Sequence, residues 1–374
     1  MTDYNSSYTG LQIDTAIGKV IDKTVETSAN KVSFTKGSTG LSANNVQDAI
    51  EELSQSSGGA TTPRTYRVVI GTSTAGWTED DCDYLCDGTA DQTTISQAIA
   101  ALPEEGGVVY FLDGAYKVGG YLGISKDNVT LLGNHQASIL SNTGSLTMLN
   151  VSGDNVTIKG LVIQDPRQSR NATVKVSGSN FCIYDCKCIS SGVLCLDISG
   201  QNALLLGTDF PNAQIMADVG THNGARVQRC SQTGTSESSI PWLKVSGNEI
   251  DIIDNYVCNV GTGINIYNCQ NVNSLGNYID TCNIGILASG QNTSLNILNN
   301  MILEFEQYGI YTAGMQGQYI NTSGNYVGMK DATTTPSGYP MAIAGERNVI
   351  TSNITPNKEI TTMGSRVLID NNSY

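Results

Sequence analysis

Ile252-Ile253-Asp254-Asn255-Tyr256-Val257 and, 22 residues on, Ser274-Leu275-Gly276-Asn277-Tyr278-Ile279 carry one pattern twice. Taking the residue after the small or acidic position as an anchor, the pattern extends along the chain. The anchors are Asn134, Leu161, Cys186, Thr208, Cys230, Asn255, Asn277, Asn300, Asn325, Asn353 and Asn371, spaced 18 to 28 residues apart. Three places earlier stand Leu131, Ile158, Ile183, Leu205, Val227, Ile252, Ser274, Ile297, Thr322, Ile350 and Leu368, nine of the eleven aliphatic. Immediately before the anchor, nine of eleven residues are Gly, Asp or Asn, which tolerate left-handed backbone angles. Two places after it, Ile163, Cys188, Phe210, Val257, Ile279, Ile302 and Val327 are again apolar.

Positions −3 and +2 are five residues apart, so uninterrupted alternation would send them to opposite faces of a strand. A bend between them returns both to one interior. Short strands, tight bends and a period of ~20–30 residues predict a parallel β-solenoid of roughly ten turns. Successive turns then stack at ~4.8 Å, and equivalent side chains form columns. Asn at the anchors can hydrogen-bond the bends above and below. Leucine-rich repeats share the period, but the helix-forming half of each repeat is missing.

Composition agrees. Of 34 Asn, 30 lie after Asp127, alongside 40 Gly in the whole chain, and both residues disfavour helix. Charged residues are 14% and the net charge is −14, which gives no long-range attraction for a phosphate backbone. Nucleic acid is therefore not an expected partner. No apolar run approaches a membrane span, so membrane insertion is not expected, and MTDYNSSYTG lacks the basic and apolar regions of a secretory signal. Ten Cys with only His135 and His222 make no strong metal pattern. Most of the cysteines read as small buried hydrophobes, and neither metal nor cofactor is expected.

Three regions follow: 1–57, 58–126 and 127–374. The first reads as helical. Thr9 and Gln12 have capping-box spacing ahead of Ile13, Ala16, Ile17, Val20 and Ile21. Ser42-Ala43-Asn44-Asn45 announces a second helix with Val46, Ile50 and Leu53 on one stripe. Those stripes pack either on the same chain or on copies of it. Ser54–Pro63 is a linker by composition. Arg67–Ile70 and Val108–Leu112 read as strands, and Asp91 caps a helix with Ile95, Ala98, Ile99 and Leu102 on its apolar side, suited to covering an open end.

Residues 87–118, DGTADQTTISQAIAALPEEGGVVYFLDGAYKV, resemble the opening of pectate-lyase-like right-handed β-helix proteins. Asp87, Gly88 and Asp91 match the start of that element, although Gln92 replaces the usual second acid. Gly106, Gly107, Val109 and Tyr110 match its strand, and Gly114 and Tyr116 its end. The resemblance implies the fold and leaves function open. A second likeness lies at 8–22 and 40–53 (YTGLQIDTAIGKVID and GLSANNVQDAIEEL), which are similar to segments of phage tail fibres from Gram-positive hosts. It implies a structural, receptor-binding tail fibre or spike in the virion, assembled in the host cytoplasm. Such a protein is a homotrimer, attached to other tail or baseplate proteins through its N-terminus and facing a bacterial surface polysaccharide. Alternatives on the same scaffold are a polysaccharide depolymerase, hydrolase or lyase, and a purely structural baseplate component.

Chemistry is less legible. Glycoside hydrolysis needs two carboxylates ~5–9.5 Å apart on one surface. Asp280, with Glu304 and Glu306 one turn along, are the candidates, and Asp197 with Asp218 a weaker pair. All of them read first as solvated surface acids of an acidic chain, so no catalytic residue is assigned and a non-enzymatic role is the leading expectation. Arg226, Arg229 and His222 form the one basic cluster a lyase could use. For binding, position +1 faces outward between inward 0 and +2. Tyr256, Tyr278 and Tyr326, with Met301 between the last two, predict an exposed aromatic strip serving as a glycan contact or a trimer seam. Trp242 is expected in an exposed loop, Thr233–Trp242.

Overall fold

The computed structural model describes residues 32–33, 42–56, 66–167, 171–190, 194–211, 214–232, 241–313, 319–329, 338–356, 358–363 and 367–374. The chain divides into two units, Met1–Arg64 and Thr65–Tyr374. In the first, a helix runs over Val46–Ser56 (α1). Asn45 caps it: its Oδ1 accepts from the Asp48 amide at 2.8 Å while its Nδ2 donates to the Asp48 carboxylate at 2.8 Å. Ile50, on the expected apolar stripe, is 55% exposed. The helix expected over Ile13–Ile21 lies outside the described residues.

The second unit is a right-handed parallel β-helix of about 10 turns. Each turn offers three short strands to three sheets, and every named pairing is parallel. The first sheet holds the residues before the anchors, for instance Val129–Leu132, Thr157–Lys159, Cys182–Tyr184 and Ala203–Leu206, paired in that order. The second holds those just after the anchors, from Gly114–Val118 through Ser138–Asn142, Val162–Asp165 and Lys187–Ser190. The third runs from Leu122–Ile124 through Leu149–Val151 and Val174–Val176 to Leu194–Ile198. Later turns round the corners without a break, so Tyr256–Leu275 contributes to all three sheets.

Ile158, Ile183, Leu205, Val227, Ile252, Ile297 and Ile350 stack as one buried column, and Ile163, Cys188, Phe210, Val257, Ile279, Ile302 and Val327 as another. The bend between them is the left-handed residue the pattern requires. Gly160, Asp185, Gly207, Arg229, Asp254, Gly276, Asn299, Gly324 and Ser352 all have φ between 52° and 68°. Arg229 and Ser352, which do not favour that region, adopt it because the turns on either side impose it.

The ladder is built from Asn255, Asn277, Asn300, Asn325, Asn353 and Asn372. Each Oδ1 accepts from the backbone amide of the preceding anchor, and each Nδ2 donates to a carbonyl one turn back, as Asn277 does to Ile252 at 2.9 Å. Two anchors shift. The last is Asn372, since Asn371 takes the left-handed bend position with φ 51° and Ile369 pairs with Ile350. Near the start, a 3-10 turn at His135–Ala137 is inserted after Asn134. Ser138 therefore does the anchor's work, accepting from the Asn134 amide and donating to the Phe111 carbonyl at 3.0 Å.

The N-terminal end is closed by Gln92–Ala101 (α2), whose Ile95, Ala98 and Ile99 are buried. Asp91 precedes it, but its carboxylate does not bond the helix's first amides. It accepts instead from Gly88 N at 2.9 Å and Lys117 N at 2.7 Å, tying the loop to the first strand of the second sheet. Tyr116 fills the space beneath with its hydroxyl donating to the Leu112 carbonyl at 2.8 Å, and burial pushes its ionisation well above the ordinary range.

All ten cysteines are free and seven are buried. Burial pushes the thiols of Cys86, Cys186, Cys230 and Cys282 up to about 12. Cys186 stands in for a ladder Asn, its Sγ lying 3.6 Å from the Ile158 carbonyl. Among the described residues no three His, Cys, Asp or Glu cluster as metal ligands, and no helix is long and apolar enough to cross a membrane.

Candidate functional site

The outward face of the first sheet changes character along the rod. Position −4 reads Thr157, Cys182 and Leu204 in the early turns. It then becomes Arg226, Asp251, Asn273, Asn296 and Asn321. In a parallel sheet these side chains stand one rung apart, and here they join hands. Arg226 Nη2 pairs with Asp251 Oδ2 at 2.7 Å, Asn273 Nδ2 donates to Asp251 Oδ1 at 2.9 Å, and Asn296 Nδ2 donates to Asn273 Oδ1 at 2.9 Å. The result is a row of planar polar groups held in place by one another on a rigid sheet. Because the Arg226 side chain is 52% exposed, the ion pair is worth at most ~1 kcal/mol of stability and mainly sets orientation.

A second row forms the wall beside it, where the chain turns from the third sheet into the first. Asn128, Asn155, Asn180 and Asn202 are all left-handed there, and each Nδ2 from Asn155 on donates to the Asn before it at 2.9 to 3.1 Å. The row is broken at Gly224 (φ 84°), where a Cβ would come within 2.5 Å of Asn202 Oδ1. Glu249 and Asn271, again left-handed, resume it. The missing side chain opens a groove of about 480 Å³ lined by Asn202, Arg226, Glu249, Asp251, Asn271 and Asn273 among others. Donors, acceptors and two carboxylates facing one trough can hydrogen-bond a hydroxyl-rich ligand laid along the sheet.

The residues of the expected aromatic strip line up in register, but Tyr278 and Tyr326 are half-buried. Tyr256, Tyr278, Met301 and Tyr326 are register partners in the second sheet, preceded by Ser231 and followed by Ile354. Tyr256 and Met301 are exposed. Tyr256 and Tyr278 stack with centroids 5.0 Å apart and planes 6° from parallel, so each covers one face of the other.

The acids singled out from the sequence sit elsewhere. Asp280 is only 5% exposed and accepts from the Tyr278 hydroxyl at 3.3 Å and the Thr281 hydroxyl at 3.1 Å. Glu304 is half-buried in a left-handed bend (φ 50°) and Glu306 is exposed. Asp280 and Glu306 both lie near the buried Cys282 thiol and add to the rise in its pKa. Asp197 pairs in register with Met216, not Asp218. Arg226 is spent on Asp251, and Arg229 occupies a bend.

Trp242 corrects an expectation. It lies in the strand Pro241–Ile253 and is 2% exposed, part of the hydrophobic core and not of an exposed loop. Its neighbour Leu243 pairs with Ile264, which places this stretch firmly in the third sheet.

Glu249, Asp251 and the Asn row were missed by the sequence reading. Their signal was available, since Asp251, Asn273, Asn296 and Asn321 each stand four places before an anchor.

No family model matches the chain, and no curated protein matches it. Solved structures do. A hyperthermoactive exopolygalacturonase from Thermotoga maritima superposes with a TM-score of 0.54 at 13% identity, covering 82% of this chain and 93% of that one. A rhamnogalacturonan lyase gives 0.53 at 14% identity over 82% and 87%. A surface adhesin of Streptococcus pneumoniae gives 0.52 at 13% over 77% and 90%. At such identities the likeness is one of fold: this chain is built as the parallel β-helices of those enzymes and that adhesin are.

Proposed function

We propose that this protein is a carbohydrate-recognising β-helix of a phage tail fibre or spike. In this reading it is trimeric, is joined to the virion through residues 1–57 and presents the first-sheet groove to a bacterial envelope glycan. The carrying observation is the row Arg226–Asp251–Asn273–Asn296, pre-ordered by its own hydrogen bonds beside the gap at Gly224. Planar amides, a guanidinium and a carboxylate at one-rung intervals offer paired donors and acceptors to successive sugar hydroxyls without ordering cost on binding. Polysaccharide-active neighbours and an adhesin on the same fold are compatible with it, and the tail role rests on the N-terminal resemblance. The test is binding of the full chain to purified bacterial envelope polysaccharides. Asn273→Ala should weaken retention about tenfold, and unchanged retention would reject the groove.

A depolymerase on the same scaffold is favoured by one feature: Glu249 and Asp251 line one groove. Glu249 stands in the wall and Asp251 on the sheet face of the same trough, where one acid and one base could flank a glycosidic bond. Release of reducing ends or unsaturated uronates by the wild type, lost in Glu249→Gln, would establish it.

A further inference from the structure

Along the bend between the first and second sheets lies a second concavity of about 410 Å³, whose lining includes His135, Asp185, Lys187, Asp209 and Ser231. Lys187, Asp209, Ser231 and Tyr256 are consecutive register partners at the outward position just after the anchors. The polar concavity therefore runs directly into the aromatic strip.

Tyr256 is the end ring of that strip's stack. Tyr278 covers one of its faces at 5.0 Å, while on the other side the register places Ser231, whose hydroxymethyl group is too small to span a phenol ring. Tyr256 stays 44% exposed. The Cys258 thiol two residues along raises the ionisation of the Tyr256 hydroxyl to about 12. The Ser231 hydroxyl donates to Asp209 Oδ1 at 3.0 Å, orienting that carboxylate towards the concavity.

We propose that Tyr256 is a stacking platform for one pyranose ring of a neutral oligosaccharide, with Asp209, Ser231 and Lys187 hydrogen-bonding the hydroxyls of the adjoining residues. The aliphatic face of a pyranose fits a ring with one free side, and a carboxylate is the strongest acceptor for sugar hydroxyls. Neutrality follows from the charges: Asp185 and Asp209 flank a single Lys187 on a chain of net charge −14, so a uronate would meet repulsion there. This subsite rests on the carbohydrate-binding function proposed above but lies on the opposite edge of the first sheet from the Gly224 gap.

The test titrates the full chain, by calorimetry, with oligosaccharides of glucose, galactose and N-acetylglucosamine and with oligogalacturonate of equal length. The expected result is tighter binding of at least one neutral series than of oligogalacturonate. Tyr256→Ala should weaken it about tenfold and Asp209→Ala by a similar factor, with Tyr256→Phe within about threefold of wild type. If Asn273→Ala loses binding while Tyr256→Ala does not, the groove stands and this subsite is overturned. Preference for oligogalacturonate overturns the neutral ligand class alone. Failure of the wild type to bind every saccharide, envelope polysaccharides included, rejects both proposals. Identical melting curves for Tyr256→Ala and wild type exclude misfolding as the cause.

Discussion

Asn255 and Asn277 stand one turn apart in the interior and are joined twice: Asn277 Oδ1 accepts from the Asn255 side chain at 2.8 Å and from its backbone amide at 3.1 Å. Asn277 Nδ2 in turn reaches the Ile252 carbonyl and Asn300 Oδ1, each at 2.9 Å. One side chain thus satisfies backbone groups of bends that have no sheet partner.

Asn277→Ala would leave a buried amide and a carbonyl unpaired, at ~1–3 kcal/mol each. A loss of about 3 kcal/mol is expected in urea denaturation. Asn277→Asp should cost more at neutral pH than at pH 4, because a carboxylate cannot donate to Ile252 and is buried as a charge.

Thiol titration gives a pH signature. Cys86, Cys186, Cys230 and Cys282 ionise near 12 in the folded chain against an ordinary value of 9.0. Between those values the unfolded chain has released protons that the folded chain keeps, so less is bound in the unfolded state and stability falls as pH rises. Their contribution is complete below about pH 9 and disappears towards pH 12. Denaturation midpoints in reductant should decline from pH 9 to pH 11, and these four thiols should resist maleimide at pH 8 until the chain is unfolded.

Trp242 reports on the core. With Trp77→Phe removing the only other tryptophan, emission should be blue-shifted and poorly quenched by acrylamide. Trp242→Ala should cost ~3–5 kcal/mol. Red-shifted, freely quenched emission would place this side chain in solvent after all.

Gly224→Val tests the gap. A Cβ there meets Asn202 Oδ1 at 2.5 Å, and φ is 84°, which valine strongly disfavours. Destabilisation of about 2 kcal/mol is expected together with loss of glycan retention. Arg226→Ala should leave the melting curve within ~1 kcal/mol while reducing retention, as a half-exposed ion pair contributes little to stability. Retention untouched by both variants would remove the groove from the binding surface.

The repeat was legible because a stacked solenoid repeats its environment. Whatever suits Ile252 suits Ile297 two turns on, so periodic residues announce shared geometry. Local exceptions were harder to read. The 3-10 insertion at His135–Ala137 moved an anchor to Ser138, and Asn371 and Asn372 differ only in which of two adjacent amides turns inward. Trp242 misled because the segment before it, Thr233–Ile240, reads as a loop, whereas the strand register had already resumed at Pro241.

By itself the sequence determined the lap length, the inward columns at −3 and +2 and the left-handed bend between them, since backbone sterics and burial act through residues close in the chain. Which acids would meet was decided only by tertiary structure. Asp280 is covered by its neighbours, whereas Asp251 lies open between Arg226 and Asn273, residues 25 and 22 positions away in sequence but one rung away in space. Insertions of variable length between rungs decouple sequence distance from spatial distance, and hydrogen-bond partners are chosen by the latter.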